Sequence, residues 1–503
     1  MHSVESSPGS LSNKPINKIG KGKSGRKRLQ GSELVDVVTA EIELWRTPDS
    51  QAYATIPVDD HLENWPVQQL RYWLMNRVIQ KGAKAPGTQS VRDALEVLEA
   101  KALYQSPVHK LHVRTAEGEN GTCYIDLCNK SWQVVEISSL GWRVVSNPRV
   151  KFRRSPQMQP LPVPVSGGTL ANLESFLNLP DEASWKLTVA WLLASLRPKG
   201  GFPILLVNGE QGSSKTTFSR VLRDLVDPNL APVRSVPRDE RDLFISALNA
   251  WALTYDNLSG VPNWLSDAFC RLATGGGFST RRLHTDNQEM VFSGQRPLIL
   301  NGIPDLSSRA DLVDRGVHLV LPRIDPEKRL SEWVFWEQFN KARPYILGAL
   351  LDTLSEAMGV LPEMELKSAP RMRDFAELGV AAEQVLDWPE GSFLSAYISN
   401  REDAVHSTVE ADPLAVALMD LSRKGDGALE FTPTGLLKAL NENVDETIRK
   451  SDVWPKTPSA LGSRVRRVAP GLSALGVKID TRRFGKRRER AVLIQGKPTK
   501  SFH

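Results

Sequence analysis

The sequence predicts an α/β core built on a parallel sheet, with an α+β domain before it and a small module of two helices and a hairpin after it. Three observations carry this prediction. Apolar strand-like runs alternate with helical stretches over residues 200–325, which is typical of parallel strands covered by helices. A glycine- and serine-rich turn lies between the first of these runs and a helical pattern. Basic residues are concentrated at the two ends of the chain.

Length and composition limit the class of protein before any motif is considered. The chain has 503 residues, of which 41% are hydrophobic and 24% charged, so it can bury several cores and is not wholly disordered. No apolar run approaches the length of a membrane helix, and the polar, basic start of the sequence leads us to expect no secretory signal. Three cysteines predict a reducing compartment without a disulfide framework. Cys123 and Cys128 have no second Cys/His pair after them, so we do not expect a zinc site.

The distribution of charge predicts the kind of partner. The net charge is +6 overall, yet residues 1–30 alone carry +6 and residues 464–500 carry +10, which leaves −10 for the remainder. A slightly acidic body with two strongly basic ends favours contact with a polyanion at those ends. Nucleic acid is therefore the expected partner.

Composition and periodicity also predict where the domains begin and end. Residues 1–30 have few apolar side chains to bury, and residues 156–168 are rich in proline. The predicted segments are a basic tail at 1–33, an α+β domain at 34–150, a Pro-rich linker at 151–169, the α/β core at 170–330, a helical segment at 331–425, the helix–helix–hairpin module at 426–495 and a tail at 496–503.

The most informative motif is a phosphate-binding loop. The apolar run Phe202–Val207 leads into Asn-Gly-Glu-Gln-Gly-Ser-Ser-Lys-Thr-Thr at 208–217, and a helical pattern follows. In such a strand–loop–helix context the backbone N–H groups surround a β-phosphate, Lys215 reaches the β/γ oxygens and Thr216 binds Mg²⁺. We therefore expect ATP and Mg²⁺ as cofactors. The predicted nucleotide-binding residues are Gly209, Gly212, Ser213, Ser214, Lys215, Thr216 and Thr217.

The loop departs from the usual P-loop pattern at one position. The glycine that normally precedes the lysine is Ser214 here, although Gly212 lies nearby. A serine fits this position if its backbone stays at negative φ. A chance Gly/Ser turn before a helix is the alternative.

A second strand-like run ends in the acid Asp256, as expected for a Walker B carboxylate that holds Mg²⁺ together with Thr216. The next residue is Asn257, at the position where many such ATPases have a glutamate that polarises the attacking water. Asparagine cannot act as a base. Hydrolysis either uses another carboxylate, with Glu210 and Asp267 as candidates, or is slow.

Two further residues complete the predicted catalytic set. The run at 296–300 ends in Asn301, which is placed to contact the γ-phosphate or the attacking water; a simple strand-ending turn residue is the alternative. Arg315 precedes the run Val317–Leu321 and is placed to reach a neighbour's nucleotide and stabilise transition-state charge in trans. Arg309 competes for that role, and a local salt bridge is the other interpretation of Arg315.

Between Asp256 and Asn301, residues 271–286 read Arg-Leu-Ala-Thr-Gly-Gly-Gly-Phe-Ser-Thr-Arg-Arg-Leu-His-Thr-Asp. With the preceding motifs, this order resembles the superfamily-3 helicases, AAA+ ATPases of phages and integrative elements related to poxvirus-type primase-helicases. The resemblance covers about residues 185–325. It implies a hexameric ring whose hairpin, the B′ motif, lines a pore and grips single-stranded DNA. The implied pore residues are Arg281, Arg282 and His284.

The C-terminal module has the pattern of a winged helix-turn-helix. Thr432–Thr434 and Thr457–Ser459 are typical helix starts, and two strand-like runs then flank the basic tip at 483–488. A recognition helix in the major groove and a basic wing along the backbone would bind duplex DNA. A module for protein contacts only is the alternative. The predicted DNA-contacting residues are Arg464, Arg467, Arg483, Lys486, Arg487 and Arg488.

These patterns favour a ring-forming, ATP-driven DNA helicase that replicates a phage or mobile element in the cytoplasm of a bacterial host. Its expected partners are single- and double-stranded DNA, other copies of the chain and replication proteins such as a separate primase, with no membrane. Asn257 keeps a second hypothesis open, in which ATP switches a DNA-binding initiator, loader or regulator with weak turnover. A third hypothesis is a small-molecule P-loop kinase. It has less support, because both ends of the chain are basic.

Overall fold

The structure is a computed structural model of the chain, and it describes residues 29, 31–258, 260–281, 289–292, 294–302, 310–366, 368, 370–424, 428–484 and 489–496. The chain divides into two compact units, the first ending at His109 and the second beginning at Lys110. Among the residues described, no helix is both long enough and apolar enough to cross a bilayer.

The first unit packs helices on an antiparallel meander. Trp45 is fully buried, and its indole N–H donates to the Thr55 hydroxyl at 3.0 Å, so the large ring enters the core without leaving an unpaired donor. Buried leucines at helical spacing, such as Leu74 and Leu98, cover the sheet. The elements are α1 (Gly31–Thr39), β1 (Glu43–Arg46), β2 (Ala52–Val58), β3 (His61–Pro66), α2 (Arg71–Gln80) and α3 (Thr88–Gln105).

The second unit opens with short strands that the sequence analysis placed in the first domain. Its elements here are β4 (Leu111–His112), β5 (Thr115–Glu117), β6 (Cys123–Asp126), β7 (Val134–Ser138), β8 (Gly141–Val145) and β9 (Lys151–Phe152). Strands β5 to β8 form an antiparallel sheet in sequence order, and β9 pairs with β4. The predicted domain of 34–150 is therefore cut at 109/110 in the structure, and the predicted linker of 151–169 contains a strand.

A buried ionic cluster explains why these strands belong to the second unit. The Arg114 guanidinium donates to Asp227 at 2.9 Å and to the Asp126 carbonyl at 2.9 Å, and the side chains of Arg114 and Asp227 are fully buried. Arg223 bonds to the same Asp227. Removing one partner from such a cluster leaves an uncompensated buried charge, which typically costs about 3–5 kcal/mol. The composition at 156–168 predicted a stiff proline-rich linker, but Leu161 is buried in the core.

The α/β core carries the predicted parallel sheet. Its elements are α4 (Ala171–Glu174), α5 (Glu182–Ser195), β10 (Ile204–Gly209), α6 (Lys215–Val226), α7 (Glu240–Asn249), β11 (Leu253–Leu258), α8 (Asn263–Thr274), β12 (Phe278–Arg281), β13 (Glu289–Phe292), β14 (Leu298–Gly302), α9 (Ala310–Val313) and β15 (Gly316–Leu321). The sheet order is β11-β14-β10-β15, with every pairing parallel. Strands β12 and β13 form a separate antiparallel hairpin. Continuous buried runs such as Ile204–Val207 reflect a sheet covered on both faces.

The remaining elements are helical and end in a small sheet. They are α10 (Glu332–Val360), α11 (Arg373–Val385), α12 (Ser392–Ala411), α13 (Pro413–Arg423), β16 (Leu429–Phe431), α14 (Pro433–Glu442), α15 (Glu446–Lys450), α16 (Pro458–Ala474), β17 (Lys478–Phe484) and β18 (Glu489–Gln495). The small sheet is antiparallel, in the order β16-β18-β17. Buried Leu414 and Leu418 of α13 share a core with Leu436 and Leu461. The C-terminal module thus begins at α13, earlier than the predicted boundary at 425/426.

Candidate nucleotide-binding site

The predicted phosphate loop joins β10 to α6 and has the backbone that glycine permits. Gly209 has φ 152°, and a Cβ there would lie 2.6 Å from the Ser213 hydroxyl and 2.7 Å from the Leu321 carbonyl oxygen. Gly212 has φ 89°. Both positions therefore need glycine, the first for close approach as well as conformation.

Ser214 lies at the end of this loop. Its φ is 62° and its ψ 32°, in the left-handed region, so the condition of a negative φ, under which a serine would fit without strain, is not met. The chain must reverse here to enter α6, and a left-handed residue makes that turn. A side chain in this region costs about 1 kcal/mol or more relative to glycine, so the serine adds strain at the entry to the helix.

Lys215 begins α6 and folds back over the loop. Its ammonium donates to the carbonyl oxygens of Gly209 at 2.7 Å and Glu210 at 2.8 Å, and lies 3.4 Å from the Ser213 hydroxyl. The N–H groups of Lys215, Thr216 and Thr217 lie in the first turn of the helix, where they have no partner within the helix. A cation and free N–H donors at one place suit a phosphate group.

Thr216 and Asp256 meet at the end of the sheet. The Thr216 hydroxyl donates to a carboxylate oxygen of Asp256 at 2.9 Å. A bulge in the pairing of β11 with β14, between Tyr255 and Leu258, re-aims the chain at this point, and Asn257 within it has φ 57°. Hydroxyl and carboxylate oxygens are ligands that Mg²⁺ accepts, so these two side chains fit the predicted metal.

Asn301 is fully buried near the end of β14. Its amide oxygen accepts from the Asn257 N–H at 3.0 Å, and its amide nitrogen donates to the Ser219 hydroxyl at 3.1 Å. The side chain therefore links the bulge of β11 to helix α6. The Asn301 amide oxygen and nitrogen both bond to protein groups here, and its contact with the γ-phosphate or the attacking water stays a prediction.

Arg315 lies at the opposite edge of the same sheet. The register pairs Gly316 with Ile204 at the start of β10, whereas Gly209 at the loop pairs with Leu321. Five residues of strand separate these edges by about 17 Å. The Arg315 side chain is 16% exposed and donates to the carbonyl oxygen of Asp311 at 3.1 Å. Arg315 is thus remote from the loop of its own protomer. Its competitor Arg309 lies outside the described residues.

Two residues that the sequence analysis missed also contact the loop. The guanidinium nitrogen of Arg329 lies 2.8 Å from the position of a Cβ on Gly212, so it covers the loop backbone directly. The Asn178 amide donates to the carbonyl oxygens of Ser213 at 3.2 Å and Pro322 at 2.6 Å. Both lie far from the motif in sequence, and neither belongs to a recognisable pattern. The chain after β15 brings Arg329 to the loop, where the Ile324 N–H donates to the Gly212 carbonyl oxygen, whereas Asn178 comes from the segment before α5.

The structure describes only part of the predicted DNA-contacting set. Arg281 is the last residue of β12 in the β12–β13 hairpin, and Arg483 lies in β17 opposite Arg490. Arg467 is exposed on α16. The residues that fall outside the described part of the chain are Arg282, His284, Lys486, Arg487 and Arg488.

Arg464 does not have the free surface position predicted for a DNA contact. Its guanidinium donates to Asp412 at 2.8 Å and to the Val453 carbonyl oxygen. The helical periodicity of α16 turns this arginine toward α13, because Asp412 is the N-cap of that helix. The exposed Arg466 and Arg482 instead line a groove of about 290 Å³ between α14, α16 and the C-terminal hairpin.

The core is an α/β fold with a parallel sheet. It has a glycine-bounded loop after β10 and an acid at the end of β11, with β14 between these two strands, and this arrangement is typical of P-loop proteins. Residues 170–403 match a family model described as the actinomycete integrative conjugative element replication protein. Residues 414–501 match the model of the AICE RepA C-terminal domain. The core and the C-terminal module are thus similar to parts of a mobile-element replication protein, which supports a replication-associated function.

Solved structures show low sequence identity to this chain. An apo form of the NrS-1 C-terminal region is 12% identical, with 94% of this chain and 100% of that chain covered and a TM-score of 0.41. The SCCmec type IV protein Cch, described as an active helicase, is 11% identical, with 91% and 93% covered and a TM-score of 0.45. No curated protein matches the sequence.

Proposed function

We propose that the protein is an ATP-dependent DNA motor, a hexameric helicase that replicates a mobile genetic element and moves on single-stranded DNA. One observation carries the proposal: the Thr216 hydroxyl and the Asp256 carboxylate meet at 2.9 Å beside the loop of Lys215. That contact brings together a candidate metal site and a candidate phosphate site. The match of residues 170–403 to a replication protein supports DNA as the substrate on which the energy is used.

The loop residues have separate roles in this proposal. Lys215 exchanges its bonds to the carbonyl oxygens of Gly209 and Glu210 for the phosphate oxygens of ATP. Thr216 and Asp256 hold Mg²⁺, which neutralises charge on the triphosphate when bound. Arg315, remote from its own loop, acts on the nucleotide of the neighbouring protomer in a ring.

The backbone conformation explains why residue 257 is asparagine, whereas the motif alone presents it only as the replacement of a water-polarising glutamate. Its φ is 57°, and asparagine tolerates the left-handed region better than glutamate does. The residue therefore suits the bulge that aims Asp256, and the water-activating carboxylate is supplied elsewhere or hydrolysis is slow. Glu210 and Asp267 remain the candidates, and both are exposed.

DNA contact is assigned to two elements. The β12–β13 hairpin, with Arg281 at the end of its first strand, is proposed to line the pore together with Arg282 and His284. The C-terminal module has a helix, a strand, further helices and a hairpin in the order of a winged helix-turn-helix, so we propose that it binds duplex DNA. Arg466 and Arg467 replace Arg464 as the proposed contacts of α16, since both are exposed.

The second candidate function is an ATP-switched initiator or loader with weak turnover. The observation that favours it is Asn257, because no carboxylate follows Asp256 in β11. Under this alternative ATP binding changes the affinity for duplex DNA, and single-stranded DNA does not raise the hydrolysis rate.

The test measures ATP hydrolysis, with and without single-stranded DNA, and unwinding of a tailed duplex. We expect DNA-stimulated hydrolysis and unwinding in the wild type, and loss of both in Lys215→Ala. The control is Lys341→Ala, which removes an exposed lysine paired with Glu337 on α10. Bound ATP with neither unwinding nor stimulation would select the switch, and unchanged hydrolysis in Lys215→Ala would refute nucleotide use at this loop.

A further inference from the structure

Asp314 is the residue immediately before Arg315, and two arginines from distant parts of the chain hold it. Its carboxylate accepts from Arg371 at 2.8 Å and from Arg401 of α12 through its other oxygen. Burial raises the pKa of Asp314, but these two hydrogen bonds outweigh burial and hold the pKa below its usual value. The carboxylate is therefore charged at neutral pH and firmly bound on both oxygens.

The same helix also holds the strand that follows Arg315. The Asn400 amide donates to the carbonyl oxygen of His318 at 2.6 Å and accepts from its N–H at 2.9 Å. Strand β15 is an outer strand of the parallel sheet. Asn400 therefore bonds to the backbone N–H and carbonyl groups of His318 that a further strand would otherwise pair with. Neighbouring residues of α12 thus fix both the turn before β15 and the middle of the strand.

Helix α12 in turn connects to the C-terminal module. Helix α16 packs against α12 and also lies against α9, the short helix that precedes Asp314. Arg464 of α16 is bonded to Asp412, directly after the last residue of α12. A continuous set of packed helices and ion pairs therefore runs from the proposed duplex-binding module to the residue beside Arg315.

We propose that Asp314 is a positioning residue that couples the C-terminal module to Arg315, so that DNA held by the module sets hydrolysis at the neighbouring protomer's nucleotide. The inference rests on the proposed function, in which Arg315 acts in trans. Arg315 is bonded to the carbonyl oxygen of Asp311, so it must leave its own protomer surface to reach a neighbour. Asp314 fixes the point from which it extends. A displacement of about 1 Å at such a group can cost about 100-fold in rate.

The experiment compares Asp314→Asn, which keeps the shape and removes the charge, with Asp420→Asn, which removes an exposed carboxylate paired with Arg423 in the C-terminal module. For each full-length variant, ATP affinity, turnover and stimulation by duplex DNA are measured. We expect Asp314→Asn to bind ATP with unchanged affinity, lose about tenfold in turnover and lose stimulation by duplex DNA. Asp420→Asn should match the wild type.

Mixed assemblies then locate the defect. Lys215→Ala protomers have a defective loop and an intact Arg315, whereas Asp314→Asn protomers have the reverse. Mixing the two should restore turnover above either variant alone, because a Lys215→Ala protomer supplies Arg315 to an Asp314→Asn neighbour. A purely structural defect within one protomer would not be rescued in this way.

The outcomes separate this inference from the proposed function. If Arg315→Ala loses turnover and Asp314→Asn does not, the positioning role is overturned and the motor stands. If Arg315→Ala and Lys215→Ala both keep full turnover, the proposed function itself is overturned. If Asp314→Asn does not fold, Arg371→Gln decides, because it removes one of the two hydrogen bonds: an intermediate loss of turnover supports the role, and none refutes it.

Discussion

The parallel sheet has one edge at the carboxyl ends of its strands and one at their amino ends, and the two differ in backbone strain and in the exposure of their side chains. At the carboxyl edge, the backbone is strained and the side chains are accessible: Ser214 and Asn257 are left-handed, and Thr216 and Asp256 meet beside the exposed loop. At the amino edge, Arg315 is mostly buried. Under the proposed function, the first edge receives the nucleotide, whereas the second has to be brought to the nucleotide of a neighbouring protomer.

This difference shows what each edge depends on. The loop takes its geometry from glycines and from two contacts with distant residues, so changes there act on binding within one protomer. The amino edge takes its geometry from Asp314 and from α12, so changes there act through the helical half of the molecule. Three predictions, in order of decreasing effect, test whether the two edges respond independently.

Acid should destabilise the folded protein through His318 of the edge strand β15. His318 lies in β15, and burial lowers its pKa from 6.5 to about 4, although its hydrogen bond to the Val313 carbonyl opposes that change. Below pH 6.5 the unfolded chain binds a proton that the folded chain does not, so stability falls as pH falls and levels off below about pH 4. At pH 5 this one group removes about 2 kcal/mol from the free energy of unfolding.

The measurement is urea unfolding of the wild type and His318→Gln at pH 7.5 and pH 5. We expect the wild type to lose more stability between these pH values than the variant, by about 2 kcal/mol. Burial lowers the pKa of His112 to about 4 as well, but this residue is present in both proteins and cancels in the difference. Equal losses in the two proteins would show that His318 is not the acid-sensitive group.

Replacing Arg329 should lower the affinity for ATP and leave the contacts of Arg315 at the amino edge unchanged. Its guanidinium covers Gly212, so Arg329→Gln removes a cation beside the proposed phosphates, and the affinity for ATP should fall about tenfold. Arg323→Gln is the matched control, because it removes an exposed cation from the same segment. Titration with a fluorescent ATP analogue measures both. Equal affinities would mean that Arg329 packs on the loop without serving the ligand.

Ser214→Gly should have the smallest effect, a gain in stability. The left-handed φ of 62° suits glycine, so the change should raise the free energy of unfolding by about 0.5–1 kcal/mol. Ser459→Gly, on the first turn of α16, is the control and should not stabilise the protein, since that position is helical. A loss of stability in Ser214→Gly would show that the serine side chain contributes more than its backbone strain costs.

Much of the core follows from local sequence. The alternation of apolar runs and helical stretches predicted the parallel sheet, and the run at 202–217 predicted a strand, a loop and a helix where β10 and α6 stand. Thr216 and Asp256 lie in contact because the chain leaves the parallel strands β10 and β11 at the same edge of the sheet, and their role as metal ligands stays a prediction. Arg464 was misplaced, since helical spacing alone did not reveal that Asp412 lies on its side of α16.

The sequence by itself determined the residue types of the loop and the alternation of strands and helices along the core, because both depend on neighbouring residues: glycine conformation, helix capping and the period of apolar side chains. Only the tertiary structure decided that residues 110–160 belong with the core, through the buried pair of Arg114 and Asp227, and that Asp314 is held by Arg371 and Arg401. These contacts join residues up to 113 positions apart. No local pattern encodes them, because such a pair becomes favourable only when the rest of the fold has excluded water from it.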